Sequence, residues 1–278
     1  PKILNDLIDA SKPDAVHLAT EGPLGLLARR ICRSRALSFT TCYHTRYPQY
    51  LRARLPVPEP LTYALLRKFH NSSDGTMVAT DALADELKAK GFQNLMLWSR
   101  GVDMDLFKPR EESILDLPRP IYLCVARLSV EKNLEAFLSL NLEGSKVIVG
   151  DGPDRARLQS LYPDAYFMGP RFGDDLARHY SSADAFVFPS RTETFGLVLL
   201  EALASGLPVA TFPGEGLIHD VAHAGVAVLD DDLAVAARRA LTLSRKDARA
   251  FASQVSFEQS TRQFFENVRR GMDFSLRE

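Results

Sequence analysis

The chain has 278 residues, more than one typical domain, so two domains are expected. Hydrophobic residues at 46% and charged residues at 25% describe an ordinary globular protein, and a net charge of −1 argues against a general nucleic-acid binder. Cys32, Cys42 and Cys124 are scattered without CxxC spacing and read as free thiols of a reducing compartment. With no apolar run near the ~20 residues of a membrane span and no leader pattern, a soluble or peripheral protein is expected.

In chain order, strands alternate with helices. Residues 14–19 read as a strand, 23–34 as a helix, 36–41 as a strand, 59–71 as a helix and 75–79 as a strand. Asp81 is the expected N-cap of a helix running to about Lys90, with Gly91 as its stop, and 94–98 reads as a further strand. Periodicity is lost over 101–120, which carries Pro109, Pro118 and Pro120. A second series follows, with strands at 121–125, 145–149, 164–168, 184–188, 207–211 and 225–229. Its helices fall near 131–140, 153–161, 173–182 and 196–205. Alternation of this kind makes an α/β protein with parallel sheets covered on both faces. The tail 256–272 is amphipathic, with Phe257, Phe264, Phe265 and Val268 on one side. The expected division is a first domain over 1–104, a linker over 105–120, a second domain over 121–255 and a closing helix over 256–278.

The most informative stretch runs from Ser190 to Ala202. An apolar run over 183–189 leads into it, and Leu197, Leu200, Leu203 and Ala204 follow at helical spacing. Glu193 therefore falls in a strand-to-helix turn, and Glu201 about two turns into the helix. In an open α/β sheet such a turn opens on the ligand crevice. The free N–H groups around Thr194, Phe195, Gly196 and Leu197 would face a phosphate there. Two carboxylates flanking a phosphate site suit a nucleotide-sugar.

A second informative stretch is Val125-Ala126-Arg127-Leu128-Ser129-Val130-Glu131-Lys132-Asn133. Arg127 ends a strand and Lys132 opens a helix, so both can face one crevice. A departing nucleoside diphosphate gains negative charge, and without a metal fixed cations must stabilise it. Arginine offers a planar fork of donors and lysine a mobile point charge. A helix-start salt bridge of Lys132 with Glu131 or Glu135 is the structural alternative. Gly150-Asp151-Gly152-Pro153 imitates a dinucleotide fingerprint, but Arg155 stands where its third glycine belongs, which disfavours a dehydrogenase.

The run over 185–210, with Glu193 and Glu201 as E-x7-E, resembles the retaining GT-B glycosyltransferases, especially glycosyltransferase family 4. Arg127 to Asn133 is similar to that family's R-L-x-x-E-K-N element. The resemblance implies a GT-B fold, two Rossmann-like parallel-sheet domains facing a cleft, with the start of the N-terminal one absent. It also implies a last helix that crosses back to the first domain. It assigns the diphosphate to Arg127 and Lys132, sugar hydroxyls to Glu193 and the ribose to Glu201. It gives Gly152 a secondary role near the nucleotide and sets Pro170 and Arg171 along the base. His44, in Tyr43-His44-Thr45-Arg46-Tyr47-Pro48, matches a histidine that points at the donor sugar. Glu21 and Gly22, at a helix start, are candidate acceptor contacts. No metal and no other cofactor is implied. His17, His70, His179, His219 and His223 fall in no metal-ligand pattern, and Gly214-Glu215-Gly216 carries no assignable role.

The first-domain motif, with Arg54-Leu55-Pro56-Val57-Pro58, is similar to bacterial lipid glycosyl- and mannosyltransferases. That implies a GDP- or UDP-sugar donor, mannose being one choice, and a lipid, lipid-linked or glycan acceptor. The expected location is the cytoplasm, at the inner face of the cytoplasmic membrane. Residues 21–70 hold nine basic and two acidic residues, a net +7, interleaved with leucines and aromatics. Residues 29–68 are thus either a surface for anionic lipid or the solvated face of a basic domain. A non-catalytic nucleotide-sugar binder and a GT-B phosphorylase or epimerase remain as other readings.

Overall fold

The computed structural model describes residues 2–54, 57–191, 196–214 and 217–275. The chain divides into two units: residues up to Ser99 together with those from Ser260 onward, and Arg100–Gln259.

The first unit contains α1 (Lys2–Ser11), β1 (Val16–Leu18), α2 (Pro23–Ser34), β2 (Phe39–Cys42), α3 (Tyr47–Arg54), α4 (Glu59–His70), β3 (Gly75–Val78), α5 (Asp81–Ala89) and β4 (Leu95–Leu97). The strands form a parallel sheet in the order β1-β2-β3-β4. Both central strands, β2 and β3, are buried throughout, as covered faces require. The cap of α5 is Thr80, whose hydroxyl accepts from the Leu83 N–H at 3.2 Å, rather than the expected Asp81. Asp81 instead lies in the first turn, where the helix dipole favours its charge.

The second unit contains β5 (Ile121–Val125), a 3-10 turn (Val130–Lys132), α6 (Leu134–Leu138), β6 (Ser145–Val149), α7 (Arg155–Leu161), β7 (Tyr166–Gly169), α8 (Gly173–Ser182), β8 (Ala185–Phe188), α9 (Leu197–Ala204), β9 (Val209–Thr211), α10 (Leu217–His223), β10 (Ala227–Leu229), α11 (Leu233–Ala240) and α12 (Arg245–Ala252). Its six parallel strands run in the order β10-β9-β8-β5-β6-β7. Alternate residues feed the two faces. Leu123, Val147, Val149 and Phe186 join one apolar core, while Cys124, Ile148 and Val187 join the other. Residues 101–120 contain no helix or strand, but they are not a free linker. Val102, Phe107 and Leu115 are buried in the core of this unit. Arg249 pins the same segment by donating to the carbonyls of Met104 and Phe107, and it also closes α9 through the Ala204 carbonyl.

The last helix, α13 (Phe257–Ser275), belongs from Ser260 onward to the first unit. Its docked face keeps only part of the expected aromatic one: Phe264 packs on Trp98 and His17, and Val268 is half-buried. Phe257 and Phe265 are exposed, and the buried positions are Ser260, Asn267 and Gly271. Polar side chains are needed because they meet the unpaired backbone beyond β4. Asn267 Nδ2 donates to the Leu97 carbonyl at 2.8 Å, and Gln263 Oε1 accepts from the Ser99 N–H at 2.9 Å.

Candidate functional site at the reversal of strand order

The chain moves outward from β5 through β6 to β7 and then returns to place β8 on the other side of β5. Ligands of open α/β sheets bind outside the carboxyl ends of the strands at such a reversal. The loops there are knitted together by backbone. Ala126 N–H donates to the Val149 carbonyl, Leu128 N–H to the Asp151 carbonyl, and Gly150 N–H to the Gly169 carbonyl. A Cβ on Gly150 would lie 2.0 Å from the Ala126 carbonyl oxygen, and one on Gly152 would lie 2.3 Å from that of Leu128. These glycines therefore answer a close backbone approach, which is the structural part of the expectation for Gly152.

Arg127 follows β5 on this rim; it is exposed and makes no ion pair with any described residue. Lys132 is half-buried, and its charge reaches Cys124 beneath it. Burial pushes the Cys124 thiol up to about 12, against the pull of that ammonium. The expected helix over 131–140 is interrupted because Asn133 adopts the left-handed conformation at φ 51°. That turn lets Asn133 Nδ2 donate to the Pro189 carbonyl at 3.1 Å, tying the Lys132 loop to the loop after β8. Of the two acids named as alternative partners of Lys132, Glu135 is held by Arg157 at 2.6 Å.

Glu201 lies in the second turn of α9 and is largely buried. Burial raises its carboxyl pKa, and a hydrogen bond from the Tyr180 hydroxyl pulls the other way. That bond, to Oε2, is 2.8 Å long. Gly196, immediately before α9, has φ 81°, and Leu197 at the first position of the helix is exposed. The guanidinium of Arg191 stacks on the Phe212 ring at 3.9 Å. Glu193, Thr194 and Phe195 lie outside the described residues, as do Leu55, Pro56, Glu215 and Gly216. Beyond β7, Pro170 is exposed, while Arg171, which precedes α8, pairs with Asp175 in the first turn of that helix at 3.3 Å.

Two family models cover the chain: one described as "Glycosyltransferase Family 4" matches residues 1–106, and one described as "Glycosyl transferases group 1" matches 119–256. The chain belongs to the family 4 glycosyltransferases. A GDP-mannose-dependent alpha-mannosyltransferase of Mycobacterium tuberculosis is 38% identical over 206 residues, 71% of this chain and 54% of that protein. An alpha-monoglucosyldiacylglycerol synthase of Streptococcus pneumoniae is 28% identical over 92% of this chain and 65% of its own length. The match thus spans about half the length of the first of these relatives. In fold, the sucrose-phosphate synthase of Thermosynechococcus elongatus aligns with a TM-score of 0.82 at 20% identity, over 97% of this chain and 76% of that one. The fold class is GT-B, built from two parallel-sheet α/β units.

In the first unit of this family 4 chain, His44 follows β2. Its Nδ1 lies 3.2 Å from Cys42 Sγ, and its ring centroid is 6.0 Å from that of Trp98. Gly22 caps α2 and donates its N–H to Thr20 Oγ1 at 3.2 Å. Glu21 Oε1 sits 3.0 Å from Nε2 of His70, whose Nδ1 is 2.9 Å from Thr41 Oγ1. His70 is fully buried, so it supports Glu21 from within. Several of the counted bases are neutralised. Arg35 pairs with Asp9, Arg46 with Glu86 and Arg52 with Glu59. Tyr180, Asn133 and His70 are the partners that sequence reasoning missed. Only Asn133 carried a signal, as a residue tolerant of the left-handed region beside Lys132.

Proposed function

We propose that the chain acts in a retaining, metal-independent glycosyltransferase that moves a hexosyl group, mannosyl first among the choices, from a nucleoside diphosphate sugar to a lipid or lipid-linked hydroxyl. The observation that carries this reading is the convergence of the Arg127 and Lys132 loop with the loop after β8 at the strand-order reversal, joined by Asn133. Arg127 and Lys132 stabilise the diphosphate as the glycosidic bond breaks, without an ion being required. The front-face route fits this set of residues: the acceptor oxygen bonds the anomeric carbon on the side the phosphate leaves, and the acceptor proton passes to the leaving phosphate oxygen. Glu201 holds the ribose, and Glu193 the sugar hydroxyls. His44, held at Nδ1 by Cys42, positions the sugar. The GDP-mannose-dependent relative supports a guanine donor, and the diacylglycerol-glucosylating relative supports a lipid acceptor. The proposed place of action is the cytoplasmic face of a membrane; among the described residues no helix is long and apolar enough to cross one.

Calorimetric titration with GDP, UDP, GDP-mannose and UDP-glucose, with and without excess EDTA, tests the reading. EDTA-insensitive binding of one nucleotide, lost in Lys132→Ala, is the expected result. Failure of all four to bind would sink it.

A further inference from the structure

The first unit contains a cavity of about 480 Å³ between α2, α3 and α4, within the ~300–1,000 Å³ of ordinary ligand pockets. Its walls are mainly hydrocarbon, from Leu26, Leu51, Leu65, Leu66 and Phe69. Leu26 and Leu65 remain 52% and 64% exposed, so this chain leaves the apolar lining uncovered.

Two polar groups on the same wall are set apart from it. Thr62 is only 5% exposed, and its hydroxyl has no hydrogen-bond partner among the described residues. A buried hydroxyl left this way costs free energy that a bound polar atom would recover. The Glu21 side chain, 8% exposed, presents Oε1 to His70, while Oε2 accepts no hydrogen bond from a described residue. Outside, α2 and α4 carry the exposed cations Arg30, Arg33 and Lys68, which pair with no described acid, and Leu24 and Leu61 are exposed on the same helices. Arg29, also on the lining, is already committed to Ser72 Oγ and the Lys68 carbonyl. An apolar cavity, two hydrogen-bonding groups in it and a cationic, leucine-studded exterior complement one kind of molecule. That molecule is a glycerolipid lying in an anionic surface.

We infer that this cavity binds one acyl chain of the glycerolipid acceptor, with Thr62 and Glu21 hydrogen-bonding the ester and hydroxyl at the head of the chain. The lipid's role as acceptor rests on the function proposed above; its seat in the cavity rests on the cavity itself.

The test uses the whole chain with phosphatidylglycerol vesicles that contain a diacylglycerol carrying a diazirine near the end of one acyl chain. After photolysis, the label should map to peptides of α2 and α4. Leu65→Trp, a filling change at an exposed position, should cut labelling about tenfold while leaving vesicle sedimentation and nucleotide binding unchanged. Thr62→Val should raise the thermal midpoint of the lipid-free protein and still lower labelling severalfold. Label scattered over the surface, or unaffected by both changes, would overturn the inference. Because nucleotide binding is read on the same samples, its loss would count against the proposed function and leave the labelling result standing.

Discussion

The Tyr180 hydroxyl donates to Glu201 Oε2 at 2.8 Å, joining two helices that flank β8 and aiming the one largely buried carboxylate of α9. Burial holds the Glu201 pKa above its ordinary value. A carboxyl raised in the folded state favours folding while it is protonated, and that contribution is lost as pH rises through the folded pKa. Glu201→Gln should therefore be at least as stable as the parent at neutral pH, with a flatter stability profile above the ordinary glutamate range. Thermal unfolding over those pH values checks it. The same variant should lose nucleotide affinity by about tenfold or more, a trade of function against stability.

Tyr180→Phe removes the donor and leaves Glu201 buried without it. A loss of about 1–3 kcal/mol is expected, measured by denaturant unfolding, together with a further rise in the Glu201 pKa. An unchanged stability would mean that the bond does not orient the carboxylate.

Lys132→Ala and Arg127→Ala remove the proposed counter-charges. Each should lower the transfer rate by roughly 10²–10³-fold, the usual effect of losing one stabilising donor in a transition state. Arg127→Lys should recover little, because the planar fork is lost. Steady-state kinetics with the nucleotide-sugar identified by calorimetry decides this.

Asn133 does two things at once: it adopts φ 51° and it holds the Pro189 carbonyl. Asn133→Gly keeps the turn and loses the bond, whereas Asn133→Ala loses both. Stability should fall more in the alanine variant, while nucleotide affinity should fall severalfold in each. Parallel unfolding and calorimetry on the pair separate the two contributions.

Gly152→Ala would drive a methyl into the Leu128 carbonyl oxygen. A cost of about 1–3 kcal/mol is expected, read as a lower unfolding midpoint.

The second sheet was legible because strands buried on both faces read as short apolar runs, such as Ile121–Val125 and Ala185–Phe188. The helix over 131–140 was misjudged because a single left-handed residue, serving a tertiary bond, breaks it. α3 was missed because its tyrosines and arginines give little apolar periodicity. α11 and α12 did leave a trace: Asp232 and Ser244 each cap a helix start through the side chain. At the site, Arg127, Lys132 and Glu201 stood out through motif spacing. Apart from Asn133, the supports did not, since Tyr180 meets Glu201 across 21 positions and, in the first unit, His70 meets Glu21 across 49. Such pairs are made by the packing of elements, and no local pattern encodes them.

Trp98 is the only tryptophan in the chain. Its indole N–H is bonded to Ser260, and its ring has Phe264 at 4.9 Å, His44 at 6.0 Å and His17 at 6.2 Å as aromatic neighbours. The intrinsic emission of the protein therefore comes from one spot under α13. Detaching that helix would release the indole N–H to water and shift the spectrum to the red. Replacing His44 or His17 by alanine would change the quenching without the shift. Fluorescence of the unlabelled protein thus distinguishes an undocked helix from a changed histidine, with no dye attached.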